Sequence, residues 1–154
     1  MEDRSRYVLI MEANQFKSTL KEALVSSGFS KRGSYYYRDG DGVICVVGLQ
    51  KSNFASEYFI NVGYVIKTLR PSLTQPRDVD GDVRSRFGFE EDGKVKDNFN
   101  LYMSLEQFRF FLDSNIRNLI VPVGSVEGLK GLLKQNPILL YQTRFDAKKY
   151  LGLE

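Results

Sequence analysis

Two strand-like stretches separated by one polar turn, residues 43–50 and 56–67, constrain this chain more than anything else in it. The first, Val-Ile-Cys-Val-Val-Gly-Leu-Gln, is almost continuously apolar, the pattern of a central strand covered on both faces. Gly48 inside it marks a bulge or a close approach of other backbone. The second alternates. Tyr58, Ile60, Val62, Tyr64 and Ile66 share one face, and Phe59, Asn61, Gly63, Val65 and Lys67 share the other. The first set reads as the core face. The turn at residues 51–55 is too short for a crossover, so the two strands pair antiparallel.

The flanking segments differ in period. Phe16, Leu20, Ala23 and Leu24 recur at helical spacing, which predicts a helix over about residues 12–27, with an uncertain extension toward Ser5. Gly28 is its natural stop, and Phe29 packs back on it. Residues 35–38 are strand formers, followed by the turn Asp39-Gly40-Asp41-Gly42. Residues 68–82 hold Pro71, Pro76 and the run Asp78-Val79-Asp80-Gly81-Asp82, and read as a long surface loop. Residues 83–89 and 99–103 suggest two more strands joined by a polar turn at residues 90–98.

Helical spacing then returns. Ser104 and Gln107 fit a capping box ahead of Leu105, Phe108, Leu112, Ile116 and Leu119. Pro122 and Gly124 end that helix, and Ser125 caps a shorter one over about residues 126–135. Residues 146–151 form a last short helix closed by Gly152. Residues 138–143 fit strand or helix equally. A helix, a strand-rich middle and then helices define an α+β fold, an antiparallel sheet of about five strands with the N- and C-terminal helices packed on one face. The length, 154 residues, suits one domain.

The chain has no histidine, which excludes Ser-His-Asp and Cys-His catalysis and histidine-ligated metals. It has one cysteine, Cys45, set in an apolar run; a buried thiol fits a reducing cytoplasm. There is no secretory leader pattern at the start and no apolar run of membrane-spanning length. A net charge of +3, from 22 basic and 19 acidic residues, is too small to imply nucleic acid by itself. No phosphate-binding glycine loop is present, since Gly124-Ser125-Val126-Glu127-Gly128 lacks the lysine. The expectation is a protein that is not an enzyme and needs no cofactor.

Several short pieces occur in a telling order. Gly28-Phe29-Ser30-Lys31 follows Leu20-Lys21, then come Tyr36-Tyr37-Arg38, Leu49-Gln50-Lys51-Ser52 and Phe59-Ile60-Asn61-Val62-Gly63. In that order they resemble a bacterial domain-of-unknown-function family, the four-thousand-three-hundred-and-fourth of its naming series. That family has a lysine-rich GFKK after its first helix, a strand ending in LQKS, an FINLG strand and an arginine-bearing strand. Residues 82–88, Asp-Val-Arg-Ser-Arg-Phe-Gly, look like the last of these. Ser30 replaces a common lysine and Val62 a common leucine. The resemblance spans about residues 14–120. It implies a bacterial cytosolic domain and no established activity.

Candidate binding residues follow from polarity at strand ends and faces. Gln50, Lys51 and Ser52 form a polar rim, read either as turn caps or as contacts for a ligand anion. Asn61 lies among apolar strand residues and needs a partner, for which Gln50 is within reach. Arg84 and Arg86 alternate on one strand face. With Arg38, Lys67 and the rings of Tyr35, Tyr37 and Phe59 they would suit single-stranded nucleic acid. Asp78, Asp80 and Asp82 mimic the start of a calcium loop, but the sixth and twelfth positions hold Val83 and Phe89, so the EF-hand pattern fails; a plain solvated turn is the expectation, with no metal site assigned and weak cation binding the alternative. The preferred expectation is a cytosolic module that binds another protein, immunity- or adaptor-like by analogy of size and fold class. Single-stranded nucleic acid on the arginine face, or a small ligand near Gln50 and Asn61, are the alternatives. Residues 35–37, if they form an edge strand, leave a strand-paired dimer open.

Overall fold

The computed structural model describes residues 10–53 and 56–154. The chain is α+β. In order it forms α1 (Ala13–Ser26), β1 (Ser30–Arg32), β2 (Tyr35–Asp39), β3 (Val43–Lys51), β4 (Glu57–Ile66), β5 (Val83–Arg86), β6 (Phe89–Glu91), β7 (Lys94–Lys96) and β8 (Phe99–Asn100). Then come α2 (Leu105–Asn115), α3 (Val126–Gln135) and α4 (Phe145–Leu151). Turns of 3-10 helix lie at Asp78–Asp80 and Pro137–Gln142, and a π turn at Ile116–Ile120 continues α2. The suggested extension of the first helix toward Ser5, and part of the turn at residues 51–55, lie outside the described residues.

The main sheet runs β1-β2-β3-β4-β5, all antiparallel, with β8 sharing the outer edge of β4 beside β5. A separate ribbon pairs β6 with β7. The expected hairpin is the centre of the sheet: Val43 pairs with Ile66, Val47 with Val62 and Lys51 with Tyr58. The sheet has five strands in its main path with β8 as a sixth, and β2 is not an edge. Ser30–Arg32 folds back beside it through Gly33, whose φ of 60° suits a tight hairpin turn. The exposed, charged β1 is the edge, an arrangement that discourages pairing with another chain.

Register divides the sheet into two faces. Tyr36, Val47 and Val62 lie on one, with Cys45, Tyr64 and Val83 beside them. This face joins residues of all four helices in one core, including Phe16, Phe108, Leu133 and Leu151. Phe16 of α1 stacks between Tyr58 of β4, at 4.8 Å between ring centroids, and Phe108 of α2, at 4.3 Å. Burying a phenylalanine contributes about 1.5–3 kcal/mol, and such ring pairs add about 0.5–1.5 kcal/mol.

Helix ends follow the local chemistry. Ser104 Oγ accepts from the Gln107 amide at 3.1 Å and Ser125 Oγ from the Gly128 amide at 3.0 Å, so both expected caps form. Gly28, with φ of 93°, ends α1, and the Phe29 amide returns to the Leu24 carbonyl. Two expectations need correcting here. The helix of residues 105–119 does not keep α geometry: its last turn widens, with the Val121 amide bonding to Ile116. The wider turn puts Ile120, fully buried, where α spacing put Leu119. Residues 83–89 and 99–103 are not single strands. β5 stops at Arg86, where Asn115 clamps Gly88, accepting from its N–H at 2.9 Å and donating to its carbonyl at 2.7 Å; β8 ends at Asn100, whose side chain accepts from the Tyr102 and Met103 amides at 3.0 and 3.1 Å. The polar turn between them is itself the β6–β7 hairpin.

A polar cleft on the far face of the sheet

The second face carries Tyr35, Gly48, Asn61 and Arg86 in one register row, and Tyr37, Val46, Gly63 and Arg84 in the next. Residues 68–82 cross this face, so the expected surface loop is partly interior. Val46 and Val65 are fully buried, and so is Asp82. The crossing depends on Gly63. A Cβ there would stand 2.5 Å from the Asp78 carbonyl oxygen, so only glycine lets the 3-10 turn rest on the strand.

The acidic run therefore does not form a solvated turn, nor do its carboxylates converge. Asp82 Oδ2 accepts from the Ile66 amide at 2.7 Å, while Oδ1 lies 2.9 Å from Arg70. Asp80 accepts from the Arg77 amide at 2.8 Å, and that hydrogen bond is the main reason its carboxyl is held below the usual range. Asp78 Oδ1 lies over Gly48 of β3, 3.0 Å from where a Cβ there would stand. No group of side chains able to hold a metal ion occurs among the described residues.

Between the Asp78–Asp80 turn, the sheet face and the Pro137–Gln142 turn lies a cleft of about 760 Å³, a size typical of ligand sites. Four of the six expected site residues, Gln50, Asn61, Arg84 and Arg86, line it. Gln50 sits diagonally from Asn61 across the hairpin, and the Asn61 amide donates to Gln50 Oε1 at 2.9 Å. Directly opposite Asn61, Arg86 donates through Nε to Asn61 Oδ1 at 2.7 Å and through Nη1 to Asp97 at 3.1 Å. Its guanidinium lies 4.4 Å from the centre of the Phe59 ring. The result is a fixed polar wall whose charges cancel.

Two expected residues lie elsewhere. Lys51 ends β3 opposite Tyr58, on the helix-side face, and Ser52 closes the hairpin through its amide to the Glu57 carbonyl. Neither lines the cleft. The proposed basic face also comes apart. Arg38 belongs to the helix side and donates to the Ile120 carbonyl at 2.7 Å; Lys67 pairs with Asp39 at 2.8 Å; Phe59 is covered by Arg86; Tyr37 is buried. Arg84 alone is an exposed arginine of this face without an ion pair among the described residues. Sequence reasoning missed Asp78 as a cleft residue. It also missed the rim formed by Ile138 and Tyr141; of residues 138–143, left open between strand and helix, those up to Gln142 are 3-10 helix and Thr143 bridges to Val83.

The fold and cleft define an α+β domain with a preformed polar cleft on the sheet face away from its helices. The chain belongs to the family described as a domain of unknown function (DUF4304), whose pattern matches residues 20–123. The matched span includes Gln50, Asn61, Asp78, Arg84 and Arg86, whereas the rim from the Pro137–Gln142 turn lies beyond it. No curated protein and no solved structure matches the chain. None of the helices among the described residues is long and apolar enough to cross a membrane.

Proposed function

We propose that this chain is a non-catalytic binding domain and that the cleft takes a small ligand. The observation that carries this is the wall itself. Gln50, Asn61, Arg86 and Asp97 come from three strands and a loop, yet hold one another in a single hydrogen-bonded array beside an open volume. Side chains held in place lose little entropy when a ligand arrives, and this favours binding over a mobile surface. The chain has no histidine, and its only thiol is buried in the core on the other side of the sheet. The array is suited to hold a ligand rather than to transform one.

A second reading is supported by the rim. Ile138 and Tyr141 are 73% and 86% exposed, unusual for large apolar side chains beside a cleft. They would suit a protein partner whose chain enters the cleft, including the immunity- or adaptor-like roles. A cytoplasmic setting fits either reading.

The test is a thermal-shift screen of the whole chain against metabolite, nucleotide and peptide panels. A ligand at 100 times its Kd adds about 2.7 kcal/mol, several degrees in Tm. Arg86→Ala, which removes the centre of the array, should abolish the shift. If no small molecule raises Tm while a stoichiometric protein co-purifies and is lost with Tyr141→Asp, the second reading replaces the first.

A further inference from the structure

We propose that the cleft accepts a zwitterionic ligand of the amino-acid or short-peptide class, its ammonium group held by Asp78 beside Tyr35 and its carboxylate by Arg84. This rests on the cleft being the binding site.

Asp78 is only 8% exposed and lines the cleft. Its carboxylate makes no hydrogen bond or ion pair among the described residues, although its neighbours Asp80 and Asp82 are both engaged. Its carboxylate oxygens still reach the cleft, and a mostly buried carboxylate without a counter-charge gains from a cation that arrives there. A partner that arrives with the ligand would meet that need. The surroundings indicate its charge. A Cβ on Gly48 would lie 3.0 Å from Asp78 Oδ1 and 2.9 Å from Cε1 of Tyr35. Carboxylate and ring edge thus meet over the one position of β3 that has no side chain. A carboxylate next to an aromatic ring suits an ammonium or guanidinium group.

Arg84 supplies the opposite pole. It is exposed, lines the same cleft and pairs in register with Gly63, the residue on which the Asp78 backbone rests. The Asp78 carboxylate lies over Gly48 of β3 and Arg84 stands on β5, two strand spacings (about 9.6 Å) across the sheet, and no ion pair joins them. Other charges around the cleft are already committed: Arg86 to Asp97 and Asp80 to Arg77. A ligand with one charge of each sign, a few bonds apart, satisfies both groups and leaves no net charge. A phosphate would find Arg84 but be repelled by Asp78, and a simple amine would leave Arg84 unused. The volume exceeds one amino acid, leaving Ile138 and Tyr141 to cover an apolar side chain of a short peptide.

The experiment is a titration of the isotopically labelled whole chain, followed by its amide resonances, with the common amino acids and a di- and tripeptide panel. Each binder is then compared with its N-acetylated and C-amidated forms. The expected result is that either block weakens binding by at least about tenfold, the scale of one charged hydrogen bond. Asp78→Asn should erase the difference between free and acetylated ligand, and Arg84→Gln that between free and amidated ligand. A native amide spectrum shows that each variant folds. Should Asp78→Asn fail to fold, Arg84→Gln, at an exposed position, carries the test alone. Equal binding of blocked and unblocked ligands, or a cleft that responds to nucleotides or sugars but not to peptides, overturns the zwitterion and leaves the cleft. If no class of compound moves the cleft resonances, the binding site itself is wrong.

Discussion

The hydroxyl of Tyr64 donates a 2.6 Å hydrogen bond to the carbonyl of Leu119, 55 residues further along the chain. Tyr64 is fully buried near the C-terminal end of β4, and Leu119 belongs to the π turn that ends the long helix. Helix ends leave carbonyls without intrahelical partners. Here two donors from the sheet take them up, the buried Tyr64 at Leu119 and the half-buried Arg38 at Ile120. Burial keeps the phenol well above its ordinary pKa, so it is a donor at neutral pH. Tyr64→Phe should therefore cost about 1–2 kcal/mol, most of it from the unsatisfied carbonyl. Urea denaturation should show a lower midpoint with an unchanged slope.

Asn115 satisfies both backbone groups of Gly88 and also donates to the Phe111 carbonyl at 2.7 Å. Asn115→Ala removes all three bonds from a buried site and should cost about 2–4 kcal/mol. Amide hydrogen exchange should rise first at Gly88 and in the β6–β7 ribbon.

Arg70 lies between Asp82, fully buried, and Asp146, half-exposed, at 2.9 and 2.7 Å. The Asp82 Oδ1 contact is out of line for a hydrogen bond, so it is an electrostatic pairing. Arg70→Ala leaves the buried Asp82 with the Ile66 amide but no counter-ion, a loss of about 3–5 kcal/mol. The hydrogen bond from Arg70 also holds the Asp146 carboxyl below its usual range. The sign follows: this pairing stabilises the fold above the ordinary carboxylate pKa, near 4, and is lost as pH falls through the lower folded value. Asp146→Asn should flatten the acid side of the stability profile below about pH 4 by no more than about 1 kcal/mol, because the pair is exposed.

Gly63→Ala places a methyl group where the Asp78 carbonyl now lies. The Asp78–Asp80 turn must lift, at about 1–3 kcal/mol. Ligand binding in the cleft should fall with it, while the helix-side core keeps its native near-ultraviolet signal.

Cys45 is buried between β2 and β4, and burial pushes its thiol up to about 12. At pH 8 only about one molecule in ten thousand would be thiolate. A disulfide reagent should label it only as fast as the protein unfolds, and added denaturant should make labelling immediate.

Periodicity and caps carry information that survives without neighbours. The alternation of Tyr58 through Ile66 set the core face of β4, and Ser104 and Ser125 set two helix starts, because each depends on residues a few positions away. The Gln50–Asn61 contact was legible for the same reason: a short hairpin brings them into diagonal register.

The site's charges were not legible in that way. Asp78 belongs to a run that reads as a solvated turn, and its burial depends on Gly63 admitting a backbone across the sheet. Arg38 and Arg84 look alike in the sequence, yet strand parity sends one to a helix carbonyl and the other into the cleft. Sequence alone thus determined the α+β scheme, the central hairpin and its buried face, since local spacing decides which side chains can meet the core. Tertiary structure alone decided which charges remain uncommitted, because that depends on partners brought together across the sheet from distant parts of the chain.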